Sequence, residues 1–297
     1  MTTSTFDQFV ERVEAGERLS AEDIHALGST PDILPLGMLA DALRRKVHAT
    51  RVTYVRVASC KFDAAFSEAV PPAAREIRVT GTPDSMDVAT SAISAARAVA
   101  GDRTVAAFSW RDVERLADGE SARVPRVLNA WRDAGLDTIA DLALDTMSDP
   151  PVALRRLKAA GFDRLTVGIE KVAVSERVAL LLAAAALQDE LACIHALNPL
   201  PAAISHLRPT TGYEDVKMVA IGRLAAPNIP TIQVDWPRYG PKLAQVALTF
   251  GADDVYGVSP SDDAPEGRRR APLEEIRRNI EAAGFEAVER SGWGRRA

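Results

Sequence analysis

Asn228-Ile229-Pro230-Thr231-Ile232-Gln233-Val234-Asp235-Trp236, then a helix opened by Pro241 and closed by Gly251, then Asp254-Val255-Tyr256-Gly257-Val258, decides the fold of this chain. The first run reads as a strand from Ile229 to Trp236, with Pro230 near enough to its start for the missing N–H to be tolerated. Ile232, Val234 and Trp236 face one side of it, and Gln233 and Asp235 the other. A helix precedes it, ending before Pro227, and Thr211 and Glu214 have the spacing of a capping box at that helix's start. Helix, strand, helix and strand in succession make a βαβ unit, whose strands run parallel.

The same alternation continues outward. Towards the C-terminus, Pro272 opens a helix closed by Gly284, and Glu286 to Glu289 is a strand. Towards the N-terminus come a strand at Cys193 to Leu197 and the long apolar helix Val174 to Glu190. Before these lie strands at Arg164 to Gly168, Asp137 to Ile139, Thr104 to Phe108 and Glu76 to Thr80, with helices between them. The first strand spans Arg51 to Val57. The units recur at roughly 30 residues, and about eight of them favour a (β/α) TIM-type barrel, complete or broken, over an open sheet. Residues 1–48 read as a helical preface, its last helix ending in the basic Arg44-Arg45-Lys46. Residues 49–297 then form the barrel with a C-terminal βα extension. The Gly-rich dinucleotide fingerprint and the P-loop are both absent, which argues against a nucleotide-binding Rossmann unit.

Composition narrows the function. The chain has 297 residues, 47% of them hydrophobic and 26% charged, as expected of a soluble globular protein. A net charge of −5 gives no electrostatic footprint for nucleic acid or an anionic membrane. Arg268-Arg269-Arg270 is a short basic run of the kind found on solvated loops. Cys60 and Cys193 are too few for a disulfide framework, which favours a reducing compartment. With no transmembrane-length apolar run and no signal-peptide pattern at the start, a cytoplasmic protein is expected.

The chemistry turns on Val55-Arg56-Val57-Ala58-Ser59-Cys60-Lys61-Phe62-Asp63-Ala64-Ala65-Phe66. A C-x3-C-x-F-C cluster loop would need cysteines at 56, 60 and 63, and here only Cys60 is present, with Arg56 and Asp63 in the other places. Other blocks point the same way. They are Leu39 to Lys46 followed by Arg51-Val52-Thr53-Tyr54, then Val105-Ala106-Ala107-Phe108-Ser109 with Glu114, then Ile169-Glu170 and Leu187-Gln188-Asp189-Glu190, and above all Ala220 to Asp254. Together they resemble the radical SAM enzymes of the futalosine route to menaquinone, the aminofutalosine synthase family. The enzymes of cyclic dehypoxanthine futalosine and deazaflavin-cofactor synthesis come next. The resemblance implies a partial or full barrel carrying a [4Fe–4S] cluster and S-adenosylmethionine, which the family cleaves to a radical. Three thiolates would hold such a cluster.

The departures from the family pattern fall on that chemistry. Beside the missing cysteines, the family's cofactor glycine pair is reduced to Thr80-Gly81-Thr82, leaving Gly81 as the cofactor-binding candidate. Ile139-Ala140-Asp141-Leu142-Ala143 holds no glycine where the family has three. The expectation is a radical-SAM-like pseudoenzyme or partner subunit beside an active paralogue, with no cofactor. The alternative is an enzyme acting on a futalosine-type substrate, either with S-adenosylmethionine and a cluster or free of the cluster, its ligand a small molecule in the barrel. Asp235, Glu170 and His195 are the catalytic candidates. Asp235 and Glu170 sit at strand ends where barrel sites form, and His195 lies on a strand where a satisfied core histidine is the commoner reading. Trp236 and Tyr239 read as packing.

Overall fold

The computed structural model describes residues 3–171, 174–203, 211–267 and 269–293. Three helices come first, α1 (Thr3–Glu14), α2 (Ala21–Ser29) and α3 (Ile33–His48). They lead into β1 (Arg51–Lys61), α4 (Phe66–Ala69), β2 (Glu76–Thr80), α5 (Met86–Ala100) and β3 (Thr104–Ser109). α6 (Trp110–Leu116), α7 (Val124–Asp133), β4 (Thr138–Asp141), α8 (Pro150–Ala159), β5 (Leu165–Ile169), α9 (Val174–Leu191) and β6 (Ile194–Pro201) follow. The chain closes with α10 (Gly212–Ala225), β7 (Thr231–Asp235), α11 (Trp236–Leu248), β8 (Asp254–Val258), α12 (Pro272–Ala282) and β9 (Glu286–Glu289).

All the paired strands run parallel, in the order β4-β3-β2-β1-β8-β7-β6-β5. The two ends of this path meet through a single bridge, Ala143 to Gly168, where the Gly168 N–H donates to the Leu142 carbonyl at 2.9 Å. The result is a nearly closed barrel of eight strands with helices outside, as the βα repeat predicts. Local chemistry fixes the element ends. The expected box at Thr211 and Glu214 caps α10, and Ser85 caps α5. The preface is packed on the barrel's helical layer. α3 lies against α10, and α2 against α9 and α10. Lys46 donates to the Val13 and Glu14 carbonyls, satisfying the end of α1. Apolar all round, α9 is covered by α2, α8, α10 and β6.

Two strands run well past expectation, β6 to Pro201 where Leu197 was expected and, with more consequence, β1. β1 does not stop at Val57 but runs on to Lys61, because β2 offers it a ladder from Val57 opposite Glu76 to Lys61 opposite Thr80. The lower half of β1 pairs instead with β9, Arg51 opposite Glu286 to Tyr54 opposite Glu289, while β8 holds its other edge. After β9 the chain turns under β2 and β3 into the N-terminal mouth of the barrel. Gly292 makes the turn possible, since a Cβ there would lie 2.5 Å from Thr104 Cβ and 2.6 Å from Glu76 Oε2.

At that mouth Asp254 is fully buried and accepts four hydrogen bonds. Arg290 holds both oxygens, Nε to Oδ1 at 2.6 Å and Nη2 to Oδ2 at 2.7 Å. Thr53 Oγ1 adds one at 2.6 Å and Gln233 Nε2 one at 2.8 Å. Removing one partner of such a pair leaves a buried charge uncompensated, at about 3–5 kcal/mol. Arg290→Met is therefore expected to lower the urea-unfolding free energy by about that much. The double variant Arg290→Met with Asp254→Asn should recover part of the loss, and a single variant as stable as wild type would show the pair to be dispensable.

Candidate functional site

Alternate residues of each strand point into the barrel, and on three strands of this chain they are polar. β2 contributes Glu76 and Arg78, β8 contributes Asp254 and Tyr256, and β7 contributes Gln233 and Asp235, all joined or lining one central cavity. The Tyr256 hydroxyl donates to Glu76 Oε1 at 2.6 Å and accepts from Arg78 Nη1 at 3.2 Å. Arg78 Nη2 donates to Asp141 Oδ1 at 2.6 Å, at the C-terminal end of β4. Burial pushes the Glu76 carboxyl above the ordinary carboxylate range, against the bond from Tyr256 and the charges of Arg290 and Arg78. Burial likewise raises the Tyr256 phenol, and the Glu76 charge beside it adds to that. These groups nearly fill the lumen. Its free volume is about 80 Å³, against roughly 300–1,000 Å³ for a pocket that takes a drug-sized ligand.

The catalytic candidates do not converge. Asp235 lies at the C-terminal rim of the lumen and caps α11, accepting from the Arg238 N–H at 3.0 Å, with the Arg238 guanidinium at 3.2 Å. Glu170 follows β5 at the same rim but is turned to Arg111, 3.1 Å away. His195 stands at the opposite end, near the start of β6. Its ring is 4.3 Å from the Trp293 ring and accepts from Arg164 at 3.1 Å. Tyr239 donates to the Pro201 carbonyl at 2.6 Å, consistent with its packing reading. His206 and Arg268 lie outside the described residues.

The cluster-motif positions can be tested against a [4Fe–4S] group directly. Paired residues of neighbouring strands share a face. Ser59, opposite Arg78, therefore faces inward, while Cys60, opposite Val79, faces the helical layer. The Cys60 thiol is buried, lies 3.8 Å from the Ala69 carbonyl, and is pushed up by burial, which favours the neutral form over the thiolate a metal needs. Arg56 donates to Glu289 at 2.5 Å and lies 3.7 Å from Asp262. Asp63 is exposed. The space beside Gly81, which has φ +100°, is taken by the Phe62 ring, which a Cβ there would meet at 2.8 Å. Cys193 is buried, at the far end of the barrel. Among the described residues no three His, Cys, Asp or Glu side chains are grouped to hold a metal. These residues do not fit a cluster.

The lumen network escaped the sequence reading apart from Gln233 and Asp235. Its signal was present as i, i+2 polar pairs, Glu76 with Arg78 and Asp254 with Tyr256, on strands otherwise apolar enough to be buried.

The nearly closed parallel barrel with its outer layer of helices is a fold shared with solved radical SAM barrels. It superposes on HydG, a maturase of the [FeFe]-hydrogenase, with TM-score 0.67 and 13% identity, over 97% of this chain and 76% of HydG. Methylornithine synthase (PylB) matches with TM-score 0.55 and 17% identity, over 94% of this chain and 97% of PylB. The model of the CofH/MqnC C-terminal region matches residues 201–292. The 5-amino-6-(D-ribitylamino)uracil–L-tyrosine 4-hydroxyphenyl transferase of Archaeoglobus fulgidus is 30% identical, over 83% of this chain and 89% of the transferase. The aminodeoxyfutalosine synthase of Thermus thermophilus is 25% identical, over 84% and 82%. The chain belongs to the CofH/MqnC family of radical SAM proteins.

Membership corrects one expectation. The sequence led us to expect a protein with no cofactor, yet its relatives are radical SAM enzymes that use S-adenosylmethionine and a [4Fe–4S] cluster, and none of the matches shows that cofactor lost. No described helix is long and apolar enough to cross a membrane.

His195 gives the site a pH signature. Burial first, then the charges of Arg164 and Arg290, push its imidazole down to about 4. The unfolded chain takes up this proton near pH 6.5 and the folded protein only near pH 4, so the stability gained from the neutral ring is present above 6.5 and is lost as pH falls towards 4. The loss is on the order of 2–3 kcal/mol. Urea unfolding at pH 7 and pH 4.5 should show a smaller pH dependence in His195→Gln than in wild type. Equal slopes would remove His195 from the account.

Proposed function

We propose that this chain is a non-catalytic member of its family, a binding or partner subunit that works beside a cluster-bearing relative in futalosine-type menaquinone chemistry. The observation that carries the reading is the course of β1. Two of the three positions where the family resemblance puts cluster cysteines lie in paired strand, which turns Cys60 to the outer face and commits Arg56 to Glu289. The filled lumen supports the same reading, because substrate and cofactor have little room as the side chains stand. The family's C-terminal region is meanwhile kept, over residues 201–292, so a part a relative could recognise remains.

The test is co-purification with a cluster-bearing family member, with anaerobic iron and sulfide reconstitution of each chain alone. A stable mixed complex is expected, with stoichiometric iron on the relative. A stoichiometric cluster on this chain alone, or no interaction with any such relative, would sink the proposal.

A second reading, an enzyme acting on a futalosine-type substrate, is favoured by Arg78 alone. Its guanidinium stands in the lumen wall and, among the described residues, hydrogen-bonds to only Asp141 and Tyr256. If Arg78 swings aside to admit such a molecule, a futalosine analogue at 100 times its Kd should add about 2.7 kcal/mol of stability. Arg78→Met should lose that gain. No thermal shift in wild type would end this reading and leave the first untouched.

A further inference from the structure

The roomier pocket of the barrel lies at the mouth opposite the rim where barrel active sites form. It has a volume of about 490 Å³ and opens between the end of α3 and the starts of β1, β5, β6 and β7. Its wall is positively charged and under-compensated. Arg164 meets only the His195 ring, at 3.1 Å, and the face of Trp293, 5.6 Å from the ring centre, so among the described residues its guanidinium has no carboxylate. Arg51 is exposed at the same mouth and likewise has no carboxylate partner among them. The one acid in the wall, Asp253, is already engaged by Arg223, by the Ile232 N–H at 2.7 Å and by His48 at 3.2 Å.

Two further observations point to a missing negative group. The indole N–H of Trp293 is buried without a hydrogen-bond partner, which costs stability unless something accepts from it. The His195 ring faces Arg164, Arg290 and His48, with only Asp254 to offset them, and burial together with these charges holds it neutral. Guanidinium groups pair with phosphate oxygens in two parallel bonds, and Arg51 and Arg164 line one cavity where such an anion could sit.

We propose that this basal pocket is a binding site for a small phosphate-bearing molecule, with Arg164 and Arg51 as its charge-pairing residues. Trp293 lines both this pocket and the lumen, so its indole is the partition between them. An anion beneath it would pull Arg164 off its face and shift the floor of the lumen, which makes the site an effector site for whatever the barrel holds above.

The experiment uses the full chain with inorganic phosphate against chloride at matched ionic strength, followed by thermal unfolding and by the NMR titration of His195. Phosphate is expected to stabilise saturably and to raise the His195 midpoint by about one unit, since a nearby anion favours the charged ring. Arg164→Gln should lose both effects, Arg164→Lys should keep part of them, and Arg51→Gln should weaken binding about tenfold. A nucleoside monophosphate used in place of phosphate separates a site for esters from one for the free ion. Equal responses to phosphate and chloride, or a wild-type response in Arg164→Gln, would overturn the site. Should Arg164→Gln fail to fold, the Arg51→Gln titration and the wild-type His195 midpoint still decide.

Discussion

The carboxylate of Asp254 is the point on which the barrel depends. It is fully buried and holds four donors from three directions, Thr53 on β1, Gln233 on β7 and Arg290 after β9. A charge in that position is tolerable only while every donor stays in place. Three strands and the C-terminal segment are thereby fixed in mutual register by one group. The same constraint brings the tail into the mouth. Once Arg290 is held, Trp293 follows under its guanidinium, 3.8 Å from ring centre to charge. The barrel's floor is therefore built in part from Arg290 to Trp293, beyond the barrel's own strands.

That floor alters what the lumen can be. In most barrels the interior below the rim is packed with branched apolar side chains. Here the layer above the floor is Glu76, Tyr256 and Arg78, joined to one another and to Asp141 by bonds of 2.6–3.2 Å. Each member satisfies the next, so the network can exist without water or ligand, and little space is left over. The chemistry of the rim is altered at the same time. Extending β1 by the ladder to β2 gains backbone hydrogen bonds but turns alternate residues outward, and Cys60 falls on the outer parity. A strand and a thiolate-presenting loop are mutually exclusive uses of the same residues. In this chain residues 57–61 are paired strand.

Most of the architecture was legible in the sequence because it is local. Gly and Pro stops, the Thr211–Glu214 box and the βα alternation each act over a few residues, and they place the elements within a few positions of where they lie. What was not legible is pairing. The end of β1 was misjudged at Val57 because Ala58-Ser59-Cys60-Lys61 carries weak strand propensity and is held by its partner β2. The lumen was half seen for the same reason. Gln233 and Asp235 announce an inner face on one strand, but nothing in Glu76-Ile77-Arg78 says that its polar residues meet Tyr256 across the barrel. Ser291-Gly292-Trp293 has no periodicity at all and reads as a loose end, yet it closes the mouth. The sequence puts Asp235 and Glu170 at strand ends and His195 on a strand, and the winding of the barrel sets His195 at the other mouth.

The separation of those residues has a consequence for how the molecule can work. A barrel usually concentrates function at the C-terminal rim and leaves the opposite mouth to stability. In this protein the described rim residues Asp235 and Glu170 are engaged, Asp235 in capping α11 beside Arg238 and Glu170 with the exposed Arg111. At the other end a guanidinium meets an imidazole and an indole and, among the described residues, no carboxylate. Electrostatic imbalance costs stability wherever it is buried, and a fold that places four hydrogen bonds on Asp254 has the means to balance Arg164 too. That it balances one charge and, among the described residues, leaves the other, a few side chains away across Trp293, is the imbalance that the proposed anion would relieve.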